Sequence, residues 1–541
     1  MLAQRIRRSS RSYTLSVVIF ILAAVLAEVA PAQSGPGTHA VVVHADKKIG
    51  VINPNIYGHF AEHLGHCIYE GIWVGPESEI PNVRGIRTDV VEALKKIKPP
   101  VIRWPGGCFA DSYHWQDGIG PRENRPKRIN VHWGRVIENN HFGTHEFIDF
   151  CRQVGAEPMI AANVGSGTPQ EMRDWLEYLN VGSDSTLANL RAQNGHPEPF
   201  GVRYICIGNE NWGCGGSMDP SQYALFYRQF SEYCHFPPKD GLYRIACGPS
   251  SDNYDWTRGF FRTMVGEENK GRNRLGRVEA FDMHYYTWGR DYGTATEYRN
   301  DEWYGLLAKG LGLEDVALKH WEIMGEYDPG HSVKLAVCEW GVWHHVIPGT
   351  NERFLRQQNS MRDAVLAALT LDIFNRQCDK IGMANIAQTI NVLQCMILTK
   401  GAEMITTPTY HVFEMYVPHQ GAEALACDVT TTQIAFTDKG NKPNNLPHVA
   451  ASCSRKADTL TLSVVNTHIS DSATVDVELL GVSKADFESW RTLKAGDIHA
   501  HNTFENPDAV RPAEVSGTAS LMRAFVLPPA SVNVLTYSIK Q

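Results

Sequence analysis

From Ile56 to about Gly421 the hydrophobic and polar positions repeat in one rhythm. A short apolar run closes in Gly or polar residues, and an amphipathic stretch with apolar positions three and four apart follows. The first reads as a buried strand and the second as a helix. Strands are expected to end near Tyr57-Gly58, Arg103-Trp104, Asn163-Val164, Asn209-Glu210, Cys247-Gly248, His284-Tyr285, Cys338-Glu339 and Gln388-Asn391, eight in all. Helices are predicted over 88–97, where Val90, Val91, Leu94 and Ile97 share a face, and over 144–154, 169–179, 221–233 and 360–376. This alternation predicts an α/β chain whose residues 56–421 form a (β/α)₈ TIM barrel. A doubly wound sheet is the rival fold. It would need fewer strands or a phosphate-binding glycine fingerprint, and no GxGxxG opens a helix here.

After residue 421 helical periodicity stops. Short alternating strands are predicted over 460–465, 473–479, 523–527 and 533–538, separated by turns rich in Gly, Asn, Asp and Pro. They predict an all-β sandwich over 422–541. Strands at 39–52 precede the barrel rhythm and have no place in it, so segment 33–55 is expected to join the sandwich.

The first 32 residues follow neither pattern. Arg5, Arg7, Arg8 and Arg11 form a basic head, residues 15–26 are apolar apart from Ser16, and Ala30-Pro31-Ala32 offers a cleavage site. This reads as a signal peptide, too short to span a bilayer, and predicts a secreted or periplasmic protein with no membrane association after cleavage. A net charge of −8 leaves no basic stripe to neutralise phosphates, which excludes nucleic acid as a partner. The twelve cysteines contain no CxxC pair; Cys206, Cys247 and Cys338 sit in predicted strands and read as core residues. One or two bridges are left open, without an assigned pairing.

A barrel's active site lies at the C-terminal ends of its strands. Residues 202–216, VRYICIGNENWGCGG, deliver Glu210 to the end of the fourth strand, and 333–343, VKLAVCEWGVW, deliver Glu339 to the end of the seventh. Glycoside hydrolysis with retention needs two carboxyl groups about 5–5.5 Å apart, one to protonate the leaving oxygen and one to attack the anomeric carbon. Asn209 stands ready for a sugar hydroxyl, Tyr286 is a candidate hydroxyl beside Glu339, Arg103 a candidate cation, and His284 a candidate neighbour.

These motifs resemble those of glycoside hydrolase family 51, the α-L-arabinofuranosidases. IGNENWGCGG and AVCEWG resemble its acid/base and nucleophile motifs. Further agreement runs through GHFAEHLGHCIYEGIWVG (58–75), RWPGGCFADSYHWQDGIGPRENRP (103–126), IAQTINVLQ (386–394), TPTYHVFEMYVPHQGAEAL (407–425) and LPPASVNVLT (527–536). The resemblance implies a retaining barrel with a jelly-roll-like C-terminal domain. It assigns Glu210 as acid/base and Glu339 as nucleophile, and places Glu62, Asn209, Tyr286 and Gln388 around the arabinofuranose. Where many members read PGGNF this chain reads PGGCF, so Cys108 takes the place of a sugar-contacting asparagine, with tuned binding expected.

The implied reaction is exo-acting removal of terminal arabinofuranosyl residues from hemicellulose such as arabinan or arabinoxylan, or from oligosaccharides. The resemblance also implies a homo-oligomer, hexameric in family members. Rival readings are an endo-glucanase or xylanase of the same barrel clan, and a non-catalytic carbohydrate-binding relative. His59, His63, His66 and Cys67 fit no standard zinc spacing, so neither metal nor cofactor is expected. Of Trp73, Trp115, Trp212, Trp288, Trp340 and Trp343, two or three are expected to form sugar platforms.

Overall fold

The computed structural model describes residues 38–266, 275–516 and 524–540. The predicted signal segment and Arg523 of one predicted strand lie outside the described residues. Eight strands close a parallel barrel: β1 Gly58–Phe60, β2 Val101–Trp104, β3 Glu157–Ala162, β4 Tyr204–Ile207, β5 Tyr243–Ala246, β6 Ala280–Thr287, β7 Lys334–Val342 and β8 Ile381–Ala387. Every residue of β2, β4 and β8 is buried, which explains their near-continuous apolar sequence: helices cover the outside and packed side chains fill the inside. The first strand begins where the sequence pattern ended it, because Pro54–Tyr57 forms a 3₁₀ turn leading into β1.

Val101, Met159, Ala161, Tyr204, Cys206, Ile245, Ala280, Ala336, Cys338 and Met383 form the barrel interior. Side chains alternate along a strand, so the face that is core at the bottom becomes the site at the top. On β6, Ala280 lies in the core, and Asp282, His284 and Tyr286 continue that face toward the mouth. β7 departs from simple alternation. Asp282 pairs with Ala336 but His284 pairs with Glu339, so two residues of β6 oppose three of β7. This bulge puts Glu339 inward after Cys338 and turns Trp340 out onto Phe374 and Phe413.

Helices Thr88–Ile97 and Thr144–Val154 match the predicted ranges. Those at Pro169–Asn180, Pro220–Glu232 and Met361–Arg376 shift by a residue or so. Proline at the first turn and an N-cap oxygen (Thr168 to Glu171 N, Asp219 to Gln222 N) set two of these starts. Helix Asn300–Tyr327, 28 residues long, is absent from the predicted set. Its glycines lower helical propensity, and packing is the reason for two of them. A Cβ on Gly305 would meet Tyr292 at 2.4 Å, and one on Gly310 would meet Leu366 at 2.9 Å.

The C-terminal strands form a nine-stranded sheet with a core of its own. Thr38–Val51 lies inside it, antiparallel to Glu423–Thr430 and parallel to Ala473–Leu480. The buried Asp372 carboxylate, on helix Met361–Arg376, accepts from Ser452 and Ser463 of this sheet at 2.7 and 2.6 Å.

Candidate active site

Every barrel strand but β3 and β5 sends a sequence-selected residue to the same mouth. Glu62 follows β1, Cys108 follows β2, Asn209 and Glu210 follow β4, Tyr286 and Glu339 lie on β6 and β7, and Gln388 follows β8. Glu62, Cys108, Glu210, Tyr286, Glu339 and Gln388 line one cavity of about 490 Å³. Asn209 is buried next to the lining residue Gly107, its Nδ2 3.5 Å from where a Cβ on that glycine would stand.

Glu339 is surrounded by donors. Arg103 Nη1 donates to its Oε1 at 2.7 Å and Tyr286 OH to its Oε2 at 2.8 Å. Burial opposes charge on the Arg103 guanidinium, but Glu339, Cys206, Cys338 and Asp282 together outweigh it and hold the guanidinium pKa well above its ordinary value. The second arm of Arg103 donates to Asn209 Oδ1 at 2.5 Å, so one cation orders both the carboxylate and the amide. Tyr286 is pushed far up by burial and by Glu339, and so keeps its proton to donate.

Glu210 sits in left-handed backbone, φ +41°, which costs a residue with a Cβ about 1–3 kcal/mol. Its Oε1 accepts from His284 Nδ1 at 2.9 Å, and His284 Nε2 donates on to Asp282 Oδ2 at 2.9 Å. Burial works against charge on His284, yet Glu339 and Asp282 raise its pKa well above the ordinary imidazole value. Burial also raises Glu210, the His284 hydrogen bond opposes that, and the nearby Glu339 charge adds to it. One carboxylate oxygen of Glu210 and one of Glu339 lie within 4.8 Å of each other. That spacing fits direct attack on the sugar, whereas a water held between the carboxyls needs about 6.5–9.5 Å.

Glu62 forms the opposite wall. Its Oε1 accepts from Trp133 Nε1, Gly107 N and Phe109 N at 2.7, 3.0 and 3.2 Å, and its Oε2 from Gln388 Nε2 at 2.9 Å. Burial, reinforced by the Glu339 charge, raises it to about 7. Gln388 Oε1 is buried and has no partner among the described residues, an acceptor suited to a sugar hydroxyl. The two glycines of PGGCF let their loop press on both carboxylates. A Cβ on Gly106 would stand 2.7 Å from Glu62 Cγ, and one on Gly107 would stand 2.8 Å from Glu339 Oε1.

Two family profiles match, one described as the α-L-arabinofuranosidase 1 domain over residues 93–304, the other as the α-L-arabinofuranosidase C-terminal domain over 339–531. A Bacteroides ovatus protein described as an intracellular exo-α-L-arabinofuranosidase is 45% identical over 478 residues, covering 87% of this chain and 90% of its own. The chain belongs to the family 51 α-L-arabinofuranosidases. The family 51 arabinofuranosidase structure from Xanthomonas axonopodis pv. citri superposes with a TM-score of 0.86 at 40% identity, covering 93% of this chain and all of that one. The Thermotoga maritima α-L-arabinofuranosidase solved with arabinose gives 0.77 at 31%, covering 92% and 99%.

The Bacteroides relative corrects one expectation: secretion or a periplasmic location was read from residues 1–32, yet this relative is described as intracellular. Among the described residues no helix is long and apolar enough to cross a membrane.

In this family 51 chain Cys108 lines the cavity, but its sulfur is bonded to Cys214, a partner the sequence did not reveal. Cys206, Cys247 and Cys338 are free and buried. The histidines near Glu62 go separate ways: His63 pairs with Glu138 and accepts from Trp104, His66 pairs with Glu70, and His59 packs on Phe413. Trp212, Trp288 and Trp343 line the cavity, while Trp73, Trp115 and Trp340 are buried in the core.

Sequence reading passed over Trp133, which a hairpin of Arg128–Ile129 and Ile137–Glu138 carries back to Glu62 from far beyond β2. It also passed over Asp111, whose buried carboxylate accepts from Val164 N, Gly165 N and Asn209 N. Asp111 lies in the RWPGGCFADSYHW motif, but nothing in a motif marks an aspartate as a backbone clamp.

Proposed function

We propose that the chain is a retaining, exo-acting α-L-arabinofuranosidase working by double displacement. The observation that carries it is the pair of carboxylates at the barrel mouth, one oxygen of each within 4.8 Å of the other, with one carboxylate ringed by donors and the other backed by His284. Glu339 attacks the anomeric carbon while Glu210 protonates the departing oxygen. Glu210, then a carboxylate, draws a proton from water as it displaces the sugar from Glu339. Glu62, Asn209 and Gln388 hold the arabinofuranose hydroxyls, and Trp212, Trp288 and Trp343 take the aglycone.

A cavity of about 490 Å³ suits one terminal sugar with the start of its aglycone, which favours exo action over cleavage within a chain. Terminal arabinosyl groups of arabinan, arabinoxylan or their oligosaccharides are the proposed substrates. Assembly into a hexamer, implied by family resemblance, is part of this proposal, and light scattering of the purified chain decides it.

Methanolysis of an aryl α-L-arabinofuranoside followed by NMR tests the mechanism. The methyl α-arabinofuranoside is expected as first product, and the β anomer overturns double displacement. Glu339→Ala should abolish turnover, with azide restoring it; an active Glu339→Ala overturns the nucleophile assignment.

A further inference from the structure

The two oxygens of Glu210 have different neighbours. Oε1 is held by His284, whereas Oε2 meets sulfur: Cys214 Sγ lies at 3.6 Å and Cys108 Sγ at 3.9 Å. These two sulfurs are bonded to each other. A disulfide has no proton to donate, so it can pack against Oε2 without stabilising an anion there.

The bridge also ties the loop after β2 to the loop after β4, joining residues 106 apart in sequence. The latter loop is coiled tightly on Glu210. Gly213 N and Gly215 N both donate to the Glu210 carbonyl, at 2.7 and 3.1 Å. Glu210 itself has φ +41°, a conformation that persists when its surroundings over-determine it. The acid/base side chain is 19% exposed, open to the cavity and otherwise enclosed.

We propose that the Cys108–Cys214 disulfide is a positioning element for proton transfer, locking the Glu210 loop and walling Oε2 from water so that this oxygen carries the proton to the departing group. The proposal rests on Glu210 being the acid/base. Cutting the bridge with a dithiol breaks the Sγ–Sγ bond, places a proton on each sulfur and leaves the reagent as its own cyclic disulfide. Two thiols and incoming water then face Oε2 as donors and favour the carboxylate over the acid. The other groups facing Glu210 are His284 and Tyr286 from β6, Glu339 from β7 and Arg103 from β2.

The test compares kcat/KM, which reports the steps through departure of the aglycone, on two substrates across pH. A dinitrophenyl arabinofuranoside leaves without protonation, whereas an alkyl or sugar arabinofuranoside needs the acid. In a Cys108→Ala/Cys214→Ala double variant the second substrate should lose at least about tenfold, part of the ~10²–10⁴ that general acid catalysis supplies, and the first under about threefold. The alkaline limb for the second substrate should move to lower pH. Dithiothreitol should reproduce both effects in the wild-type chain and add nothing in the double variant. If the variant does not fold, the wild-type chain before and after dithiothreitol, with its circular dichroism unchanged, gives the same comparison. Equal losses on both substrates, no loss, or an unmoved alkaline limb overturns the proposal. Glu210→Ala measured alongside separates the two readings: without leaving-group dependence in that variant, the acid/base assignment itself fails.

Discussion

His284 Nδ1 donates to Glu210 Oε1 at 2.9 Å, and the same nitrogen stands 3.5 Å from Glu339 Oε2. One imidazole therefore faces both carboxylates, with Asp282 behind it on Nε2. Through its hydrogen bond it favours the charged form of Glu210, and it opposes the burial that favours the acid.

Replacing His284 with Ala should therefore raise the Glu210 pKa further. The alkaline limb of kcat/KM moves to higher pH, opposite to the shift expected on cutting the disulfide. Activity at neutral pH should fall about 10–100-fold as Glu210 loses its anchor. A pH–rate profile of the variant reads both effects.

Glu62 has a stability consequence. Its folded pKa of about 7 lies above the unfolded value, so the folded state is penalised as pH rises between the two, and no penalty exists below the unfolded value. Glu62→Gln should therefore melt higher than the wild-type chain above pH ~7, by up to about 3 kcal/mol, and match it near pH ~4. The same variant should lose about 10–100-fold in kcat/KM, the worth of a charged hydrogen bond to the sugar. Thermal melts at the two pH values and steady-state kinetics check the pair of outcomes.

Asp111 clamps three backbone amides from two strand ends. Asp111→Ala leaves them buried without an acceptor, and should cost about 2–4 kcal/mol in stability, read by denaturant titration. Because Asn209 N is one of the three, kcat/KM should drop as well, by more than any KM change explains.

Trp288 is 44% exposed, lines the cavity and stands 5.4 Å from Trp343. The proposed function makes it an aglycone platform. Trp288→Ala should weaken kcat/KM on arabino-oligosaccharides about 2–10-fold, the worth of one aromatic stacking contact, while small aryl substrates change less. Comparing the two substrate types checks it.

The strand–helix alternation reported the barrel because parallel strands buried on both faces must be short and apolar, and helices that cover them must be amphipathic. The strands carrying Glu210 and Glu339 were visible for that reason: each runs apolar and then breaks into a carboxylate. Helix Asn300–Tyr327 was not visible, since Gly305 and Gly310 make room for Tyr292 and Leu366, neighbours that sequence does not reveal.

By itself the sequence determined the layered architecture and the candidate carboxylates, because burial periodicity and motif are local properties of the chain. Tertiary structure decided what touches what. The bulge in β7 turns Glu339 inward, Arg103 bridges Glu339 and Asn209, Trp133 returns from a distant hairpin, and Cys108 meets Cys214 across 106 residues. Each depends on register and loop path, which are settled only when the barrel closes and distant segments compete for the same space.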